Sequence, residues 1–370
     1  MIPLFTSKVD PSVDKPLLEV LHSGYITQGP KVDEFEAILA KYLGNEKTIT
    51  LNSGTSALTL AFRLAGVQAG AEVIATPMTC TATNLPILAN GGKIVWADID
   101  PKSGLTDPAD VERKITDKTV AIVVCDWGGM PNDMGALMAI GKKHGIPVIE
   151  DAAHAFGAEL NGKKIGALAN YTCFSFQAIK HLTTGDGGLL TVCCEEPYRR
   201  GRILRWFGID RDAPTTDSRI DQDIEEWGYK YHMNDLAATI GIAQMDHIEQ
   251  ILAAHRSNAA WYDQTLDPMF DRVTGPEGAR SAYWLYTILL PDQIMRDKFK
   301  SYMLSRDIQV NQVHKRNDHY TVFRPFNNGP LPGVDEFADR MICIPVHSNL
   351  SRQDLIKITD AANAFARANK

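Results

Sequence analysis

Short apolar runs of strand length alternate with segments of helical periodicity through the first two-thirds of this 370-residue chain. The runs are KTITL (47–51), EVIAT (72–76), KIVWADI (93–99), TVAIVV (119–124) and PVIEDA (147–152). Most are too continuously apolar for strands with one wet face, which predicts burial on both faces. Between several of them lie helical patterns. One runs from Ser56 to Ala65 and stops at Gly66, and another, MGALMAIGKKHG (134–145), has a basic last turn and Gly145 as a natural C-cap. Buried strands separated by helices predict an α/β layer architecture with a mostly parallel sheet flanked by helices.

From about Met245 the pattern changes. HIEQILAAHRSNAAWYDQTL (247–266) predicts one long helix, YWLYTILL (283–290) and MICIPV (341–346) predict strands, and QDLIKITDAANAFARA (353–368) predicts a further helix. The chain is therefore expected to divide into a large domain over 1–245 and a smaller C-terminal α+β domain over 246–370. Its length leaves ample core for both.

A net charge of −7 argues against a general nucleic-acid binder, since phosphate contact needs a basic face. The segment MIPLFTSKVDPSVDKP lacks the basic leader and apolar stretch of a signal peptide. No apolar stretch approaches the ~20 residues that span a bilayer. The six cysteines (Cys80, Cys125, Cys173, Cys193, Cys194, Cys343) form no C-x-x-C pair, and several lie in apolar, strand-like segments. That fits reduced thiols better than a disulfide framework. The expectation is a soluble cytoplasmic protein with no membrane or nucleic-acid partner, and no metal is called for.

Three stretches carry chemistry. In FSFQAIKHLTTGDGG (174–188) a lysine, Lys180, stands between an apolar run and a glycine-rich turn. A buried ammonium is costly unless it is paired or its pKa falls, and a neutral, positioned amine is what Schiff-base chemistry needs. Ser175 alternates with Phe174 and Phe176 and so points away from them. In LNSGTSAL (51–58) a strand runs through Gly54 and Thr55 into a helix, where free N–H groups and the helix dipole favour an anion such as a phosphate. Asn or Ser there is also a routine N-cap. In VIEDAAHAFGA (148–158), Asp151 ends an apolar strand, where ligands of open α/β sheets collect; it could hold a proton on a heteroaromatic nitrogen or simply cap a turn. His154 could touch a ligand or merely pack.

Together these give a phosphate cradle, a carboxylate and a buried amine, which match the phosphate, pyridine nitrogen and aldehyde of pyridoxal 5′-phosphate. At this point the sequence resembles the sugar aminotransferases of DegT/DnrJ/StrS type, which have the PLP-dependent transferase fold type I (aspartate aminotransferase-like). The resemblance extends over nearly the whole chain, through SGYITQGPKVDEFE (23–36), NSGTSAL (52–58), EDAAHAFGA (150–158), FSFQAIKHLTTGDGG (174–188), GYKYHMNDLAATIG (228–241) and the region of His314.

The resemblance implies that Lys180 holds the cofactor covalently and that Asp151 pairs with the pyridine nitrogen. It implies that Gly54, Thr55 and Ser175 contact the phosphate and that His154 lies beside the ring. Family members are dimers whose GYKYHM segment reaches into the partner's site, so a homodimer with shared sites is expected. Tyr25, His314 and Tyr320 match loops that border the family's sugar pocket. The implied reaction moves an amino group from L-glutamate to a keto sugar, with a nucleotide-linked 4-keto-6-deoxy hexose as the default, for polysaccharide, glycan or antibiotic biosynthesis. A 3-keto hexose or an 8-oxo octulosonate stays open as the acceptor.

Three positions depart from the family pattern. Cys80, in PMTCTAT (77–83), stands where an aromatic residue usually stacks on the cofactor, so either Cys80 or another residue covers that face. At 230 the family commonly has an asparagine that contacts the phosphate from the other subunit; Lys230 is expected to make that contact with a full charge, the alternative being a surface residue. His181 replaces the usual Asn after the lysine, which brings in a PLP-dependent sugar dehydratase as a rival; in the sugar 3-dehydratases, however, histidine replaces the lysine itself. A non-catalytic, PLP-binding regulator is a third reading. The presence of Lys180, Asp151 and Ser175 together favours transamination.

Overall fold

A computed structural model of the chain describes residues 1–214 and 222–369. Its centre is a seven-stranded sheet in the order β1-β9-β8-β5-β4-β2-β3. The strands are β1 (Thr48–Leu51), β2 (Glu72–Ala75), β3 (Lys93–Trp96), β4 (Thr119–Cys125), β5 (Val148–Asp151), β8 (Tyr171–Ser175) and β9 (Gly188–Val192). Neighbours from β3 through β8 run parallel, while β9 is antiparallel to both β8 and β1. The architecture is the mixed α/β fold with a parallel-dominated sheet that the alternating runs predict.

Successive residues along the strands feed two different cores. Val73, Ala121, Val123, Ile149 and Leu190 face one apolar cluster, which includes the helix Gly54–Leu64. Ile74, Ile122, Val124, Val148 and Leu189 face the other, filled by the helices Pro30–Leu43, Met134–His144 and Asp235–Met245. Both faces of the sheet are dry, which explains why the strands read as unbroken apolar runs.

Between β5 and β8, the two-residue strands β6 (Glu159–Leu160) and β7 (Lys163–Lys164) pair with β11 (Ala279–Arg280). A second three-stranded sheet joins β10 (Asp271–Arg272), β12 (Tyr286–Leu289) and β13 (Met341–Ile344). It packs with the helices Gln293–Leu304 and Arg352–Ala368 around a third apolar cluster. The helix Ile248–Thr265 serves two cores, contributing Ile248 and Leu252 to one and Ala259 and Tyr262 to another.

Two predicted strands are shorter than their apolar runs. β3 stops at Trp96, and Ile99 pairs only in an isolated bridge with Thr106. β12 begins at Tyr286 because Tyr283 adopts a left-handed φ of 51° and the Leu285 amide turns to the carbonyl of Gly128 at 3.1 Å. Trp284 thereby leaves the sheet. Among the described residues, no helix is long and apolar enough to cross a membrane.

Candidate active site

Parallel strands end side by side at the site. Asp151, the last residue of β5, is in register with Cys125 at the end of β4 and with Cys173 in β8, and Ser175 ends β8. A cavity of about 310 Å3 opens above these ends. Gly54, Thr55, Cys80, Asp151, His154, Ser175, Lys180 and His314 line it, together with Trp284.

One end is built for an anion. β1 passes through Asn52 and Ser53 into the helix Gly54–Leu64, and the extended Ser53 caps it by accepting the Ser56 amide at 3.0 Å. The amides of Gly54 and Thr55 belong to the first turn and have no acceptor within the helix. With the helix dipole they favour negative charge. A methyl group on Gly54 would sit 2.9 Å from Cβ of Ser175 and 3.2 Å from its Cα. The glycine therefore lets the helix start lie directly on the end of β8.

Asp151 lies at the base of the cavity, only 3% exposed. Its Oδ2 accepts from the Thr83 hydroxyl at 2.5 Å and its Oδ1 from the Ala153 amide at 3.1 Å. Because Thr83 gives its proton to the carboxylate, Thr79, 2.6 Å away, must donate to Thr83. Burial pushes the Asp151 pKa up, while Thr83, the Ala153 amide and Lys180 pull it down. A dry carboxylate with acceptor capacity suits a cationic N–H partner.

Lys180 lies in the link between β8 and β9. The link is closed at its neck, where the Phe176 amide donates to the Gly187 carbonyl at 2.8 Å. Lys180 keeps some accessible surface because it borders open cavities, but its amine lies inside the molecule. Burial lowers its pKa to about 8, against the opposing pull of Asp151, Cys80 and Cys125. Nζ sits 3.5 Å from the centroid of the Trp284 ring.

His154 stacks on Trp284 with centroids 3.9 Å apart, and its Nε2 is 3.3 Å from Nε2 of His314. Burial drives the His154 pKa well down and that of His314 to about 3, so both rings are neutral. One of the facing nitrogens must then carry the proton and the other accept it. His154 Nδ1 is buried with no hydrogen-bond partner among the described residues.

Lys230, Tyr25 and Tyr320 do not line this cavity. Lys230 is exposed, its Nζ 5.1 Å from the Trp206 ring, and its carbonyl accepts from the Asn52 side chain at 3.3 Å. Tyr25 is 71% exposed, and Tyr320 lies at the surface. His181 turns away from the cavity and its ring Nε2 meets the Ala282 carbonyl at 3.0 Å.

Two site residues escape a reading of the sequence. Thr83 reaches Asp151 only through the fold. Trp284 sits in an apolar run that reads as strand, and only its departure from the sheet brings it to Lys180.

The donor set fits pyridoxal phosphate. Free helix amides and Ser175 suit its phosphate, Asp151 its pyridine nitrogen and Lys180 its aldehyde, while the unpartnered His154 Nδ1 leaves a polar atom for a bound group.

Comparison with known proteins gives the same picture. The model of the DegT/DnrJ/EryC1/StrS aminotransferase family matches residues 8–363. The sugar aminotransferase CalS13 from Micromonospora echinospora superposes with a TM-score of 0.93 at 35% identity, over 98% of this chain and all of that one. Spr1654 from Streptococcus pneumoniae, solved in its PLP form, superposes with a TM-score of 0.92 at 27% identity over 99% of each chain. The spore coat polysaccharide biosynthesis protein SpsC of Bacillus subtilis is 30% identical over 362 residues, 94% of this chain and 93% of that protein.

Proposed function

The chain belongs to the DegT/DnrJ/EryC1/StrS aminotransferase family, PLP-dependent transaminases that act on keto sugars, and from that premise we propose L-glutamate as its amino donor and a nucleotide-linked 4-keto-6-deoxy hexose as its acceptor. The observation that carries the transaminase reading is the placement of the Lys180 amine and the Asp151 carboxylate in one cavity, beside the free helix amides of Gly54 and Thr55. A second groove of about 410 Å3, which shares His314 with the cofactor cavity, offers room for the acceptor. Lys315 and His319 line it; Arg316 lines it too, but its guanidinium is ion-paired with Asp318 and Asp335, and Asp339 adds an acidic side chain.

When bound, the cofactor supplies an aldehyde for amine exchange and a ring that accepts the electron pair left by a breaking C–H bond. In this reading the chain's own residues hold it and move the proton. The amides of Gly54 and Thr55, with the hydroxyls of Thr55 and Ser175, bind the phosphate. Asp151 keeps the proton on the ring nitrogen, oriented by Thr83. Nζ of Lys180, with its pKa lowered to about 8, is partly neutral near pH 7 and takes the α-proton of the donor as a general base. It returns that proton as a general acid. Cys80 and His154 border the ring, and His314 and the loop of Tyr320 face the sugar.

A homodimer fits this reading. The GYKYHM segment lies beside Asn52, yet the Lys230 ammonium does not line its own chain's cavity, so a phosphate contact by Lys230 requires a second copy. Exposed apolar side chains at Leu18, Leu21, Phe207, Ile224 and Trp227 offer surface for one.

The test is a half-reaction. Purified protein loaded with pyridoxal phosphate should lose its visible absorbance band on addition of L-glutamate and release 2-oxoglutarate. Mass spectrometry with a panel of nucleotide-linked 4-keto and 3-keto sugars then identifies the aminated product. Bleaching by a different amino acid alone would overturn the donor, and amination of only a 3-keto or non-nucleotide sugar would overturn the acceptor.

A further inference from the structure

Behind Lys180 lies a second cavity, of about 250 Å3, whose walls include Phe5, His255 and His347. Ile179, Lys180 and Trp284 line both this space and the cofactor cavity. The amine therefore stands at a boundary with open volume on either side, on a flexible four-carbon stem. Something must fix where it rests.

Trp284 is held from three directions. Its Nε1 donates to the carbonyl of Ile179, the residue before Lys180, at 2.9 Å. Phe5, from the wall of the second cavity, stacks at 4.9 Å and 22°. His154, from the wall of the cofactor cavity, stacks at 3.9 Å and 21°. Against this fixed ring, Nζ of Lys180 lies 3.5 Å from the centroid.

We propose that Trp284 is a positioning residue for Lys180, its indole face seating the amine at the boundary between the two cavities. The proposal rests on Lys180 being the reactive amine. An indole face attracts an ammonium through its quadrupole, and the attraction grows where water is excluded. Burial opposes it by disfavouring charge. The other groups facing the amine are Asp151, Cys80 and Cys125, which favour the ammonium, and His154, His181 and His314, whose own protonation is disfavoured by burial and by the Lys180 charge. The indole therefore does two things: it fixes the site of the nitrogen and keeps part of the amine protonated, ready to donate.

The experiment reads Lys180 directly, without turnover. Full-length protein free of cofactor is labelled with acetic anhydride across a pH series, and peptide mass spectrometry gives the midpoint for Lys180. Trp284→Leu keeps an apolar cover and removes the π face, so the midpoint should fall by about half a unit to one unit. Trp284→Phe keeps a ring face but loses the bond to Ile179, and should show less than half of that shift. If Trp284→Leu does not fold, Trp284→Met fills the space with a flexible apolar chain and carries the same expectation. An unchanged or higher midpoint in the folded Leu or Met variant overturns the proposal. A wild-type protein that fails to bind pyridoxal phosphate would overturn the reading of function and leave this measurement standing.

Discussion

The Thr83 hydroxyl lies 2.5 Å from Oδ2 of Asp151, across 68 residues of chain. It connects the start of the helix Thr81–Ala89 to the end of β5, and it is one of only two donors that the buried carboxylate has among the described residues. Thr83→Val keeps the shape and removes the donor. The loss of a hydrogen bond to a buried charge costs roughly 1.5–3 kcal/mol, so kcat/KM should fall by about one to two orders of magnitude. Thr83→Ser should recover most of it. Equal activity in the Val and Ser variants would show that the hydroxyl does not orient Asp151.

Lys180→Ala removes the proton-carrying amine and leaves Gly54, Thr55 and Ser175 in place. Turnover should drop by about three orders of magnitude or more. Cofactor should still copurify or bind, without the absorbance of the covalently held form. Ordinary multiple turnover in this variant would mean that another base does the work.

Gly54→Ala sets helix propensity against packing. In an exposed helix the change would stabilise by up to about 1 kcal/mol. Here the new methyl would meet Cα and Cβ of Ser175 and the Phe174 carbonyl at 3.3 Å or less. The expected outcome is a lower melting temperature and cofactor affinity reduced about tenfold, read by equilibrium dialysis. A gain in melting temperature would show that the helix start yields easily.

Asp126 and Glu150 form a buried acidic pair next to the site. Asp126 Oδ1 accepts from the backbone and side chain of Asn132, and Glu150 accepts from Thr172, while Asp126 Oδ2 and Glu150 Oε1 find no donor among the described residues. Burial raises both pKa values, that of Asp126 to about 7. An acid whose folded pKa is raised binds more protons folded than unfolded. Its contribution therefore falls as pH climbs from the unfolded value of 3.8 to about 7. Asp126→Asn mimics the protonated acid, and its amide can donate to Glu150. The variant should gain on the order of 1 kcal/mol over wild type near pH 8, a gain that vanishes near pH 4. Urea unfolding at the two pH values decides it; the same difference at both would rule out titration of this pair.

Mixing Lys180→Ala chains with Lys230→Ala chains tests the shared site. If Lys230 serves its partner's cavity, each hybrid dimer holds one intact site, and an equal mixture should recover about a quarter of wild-type activity. A mixture no more active than its parents would place Lys230 in its own chain's site or outside the chemistry.

Much of the sheet is legible in the sequence because both of its faces are dry, so five of its seven strands show as largely apolar runs; β8 and β9, joined by the link that carries Lys180, do not. Lys180, Asp151 and Gly54 are legible for a different reason: each is out of keeping with its flanks, a cation in an apolar segment, a carboxylate closing a strand, a glycine opening a helix. Thr83 is not, because a threonine near a helix start is unremarkable until the fold brings it to Asp151. Trp284 is hidden by its own apolar run, which reads as strand until the left-handed turn at Tyr283 lifts it out. Lys230, Tyr25 and Tyr320 stand at the surface of one chain, and no pattern within a single sequence shows what a second copy would place against them.

The reversal of β9 has a consequence for how such a site can be transplanted. In a fully parallel sheet the link after β8 would be a long crossover, with its ends far apart. Here the link from Phe176 to Gly187 leaves one strand and returns along its neighbour, and it is pinned at the base by the bond between those two residues. The reactive lysine thus rides on a loop with adjacent endpoints, and moving it between related scaffolds would take two cuts together with its outside partners, Trp284 on the Ile179 carbonyl and the Ala282 carbonyl on His181.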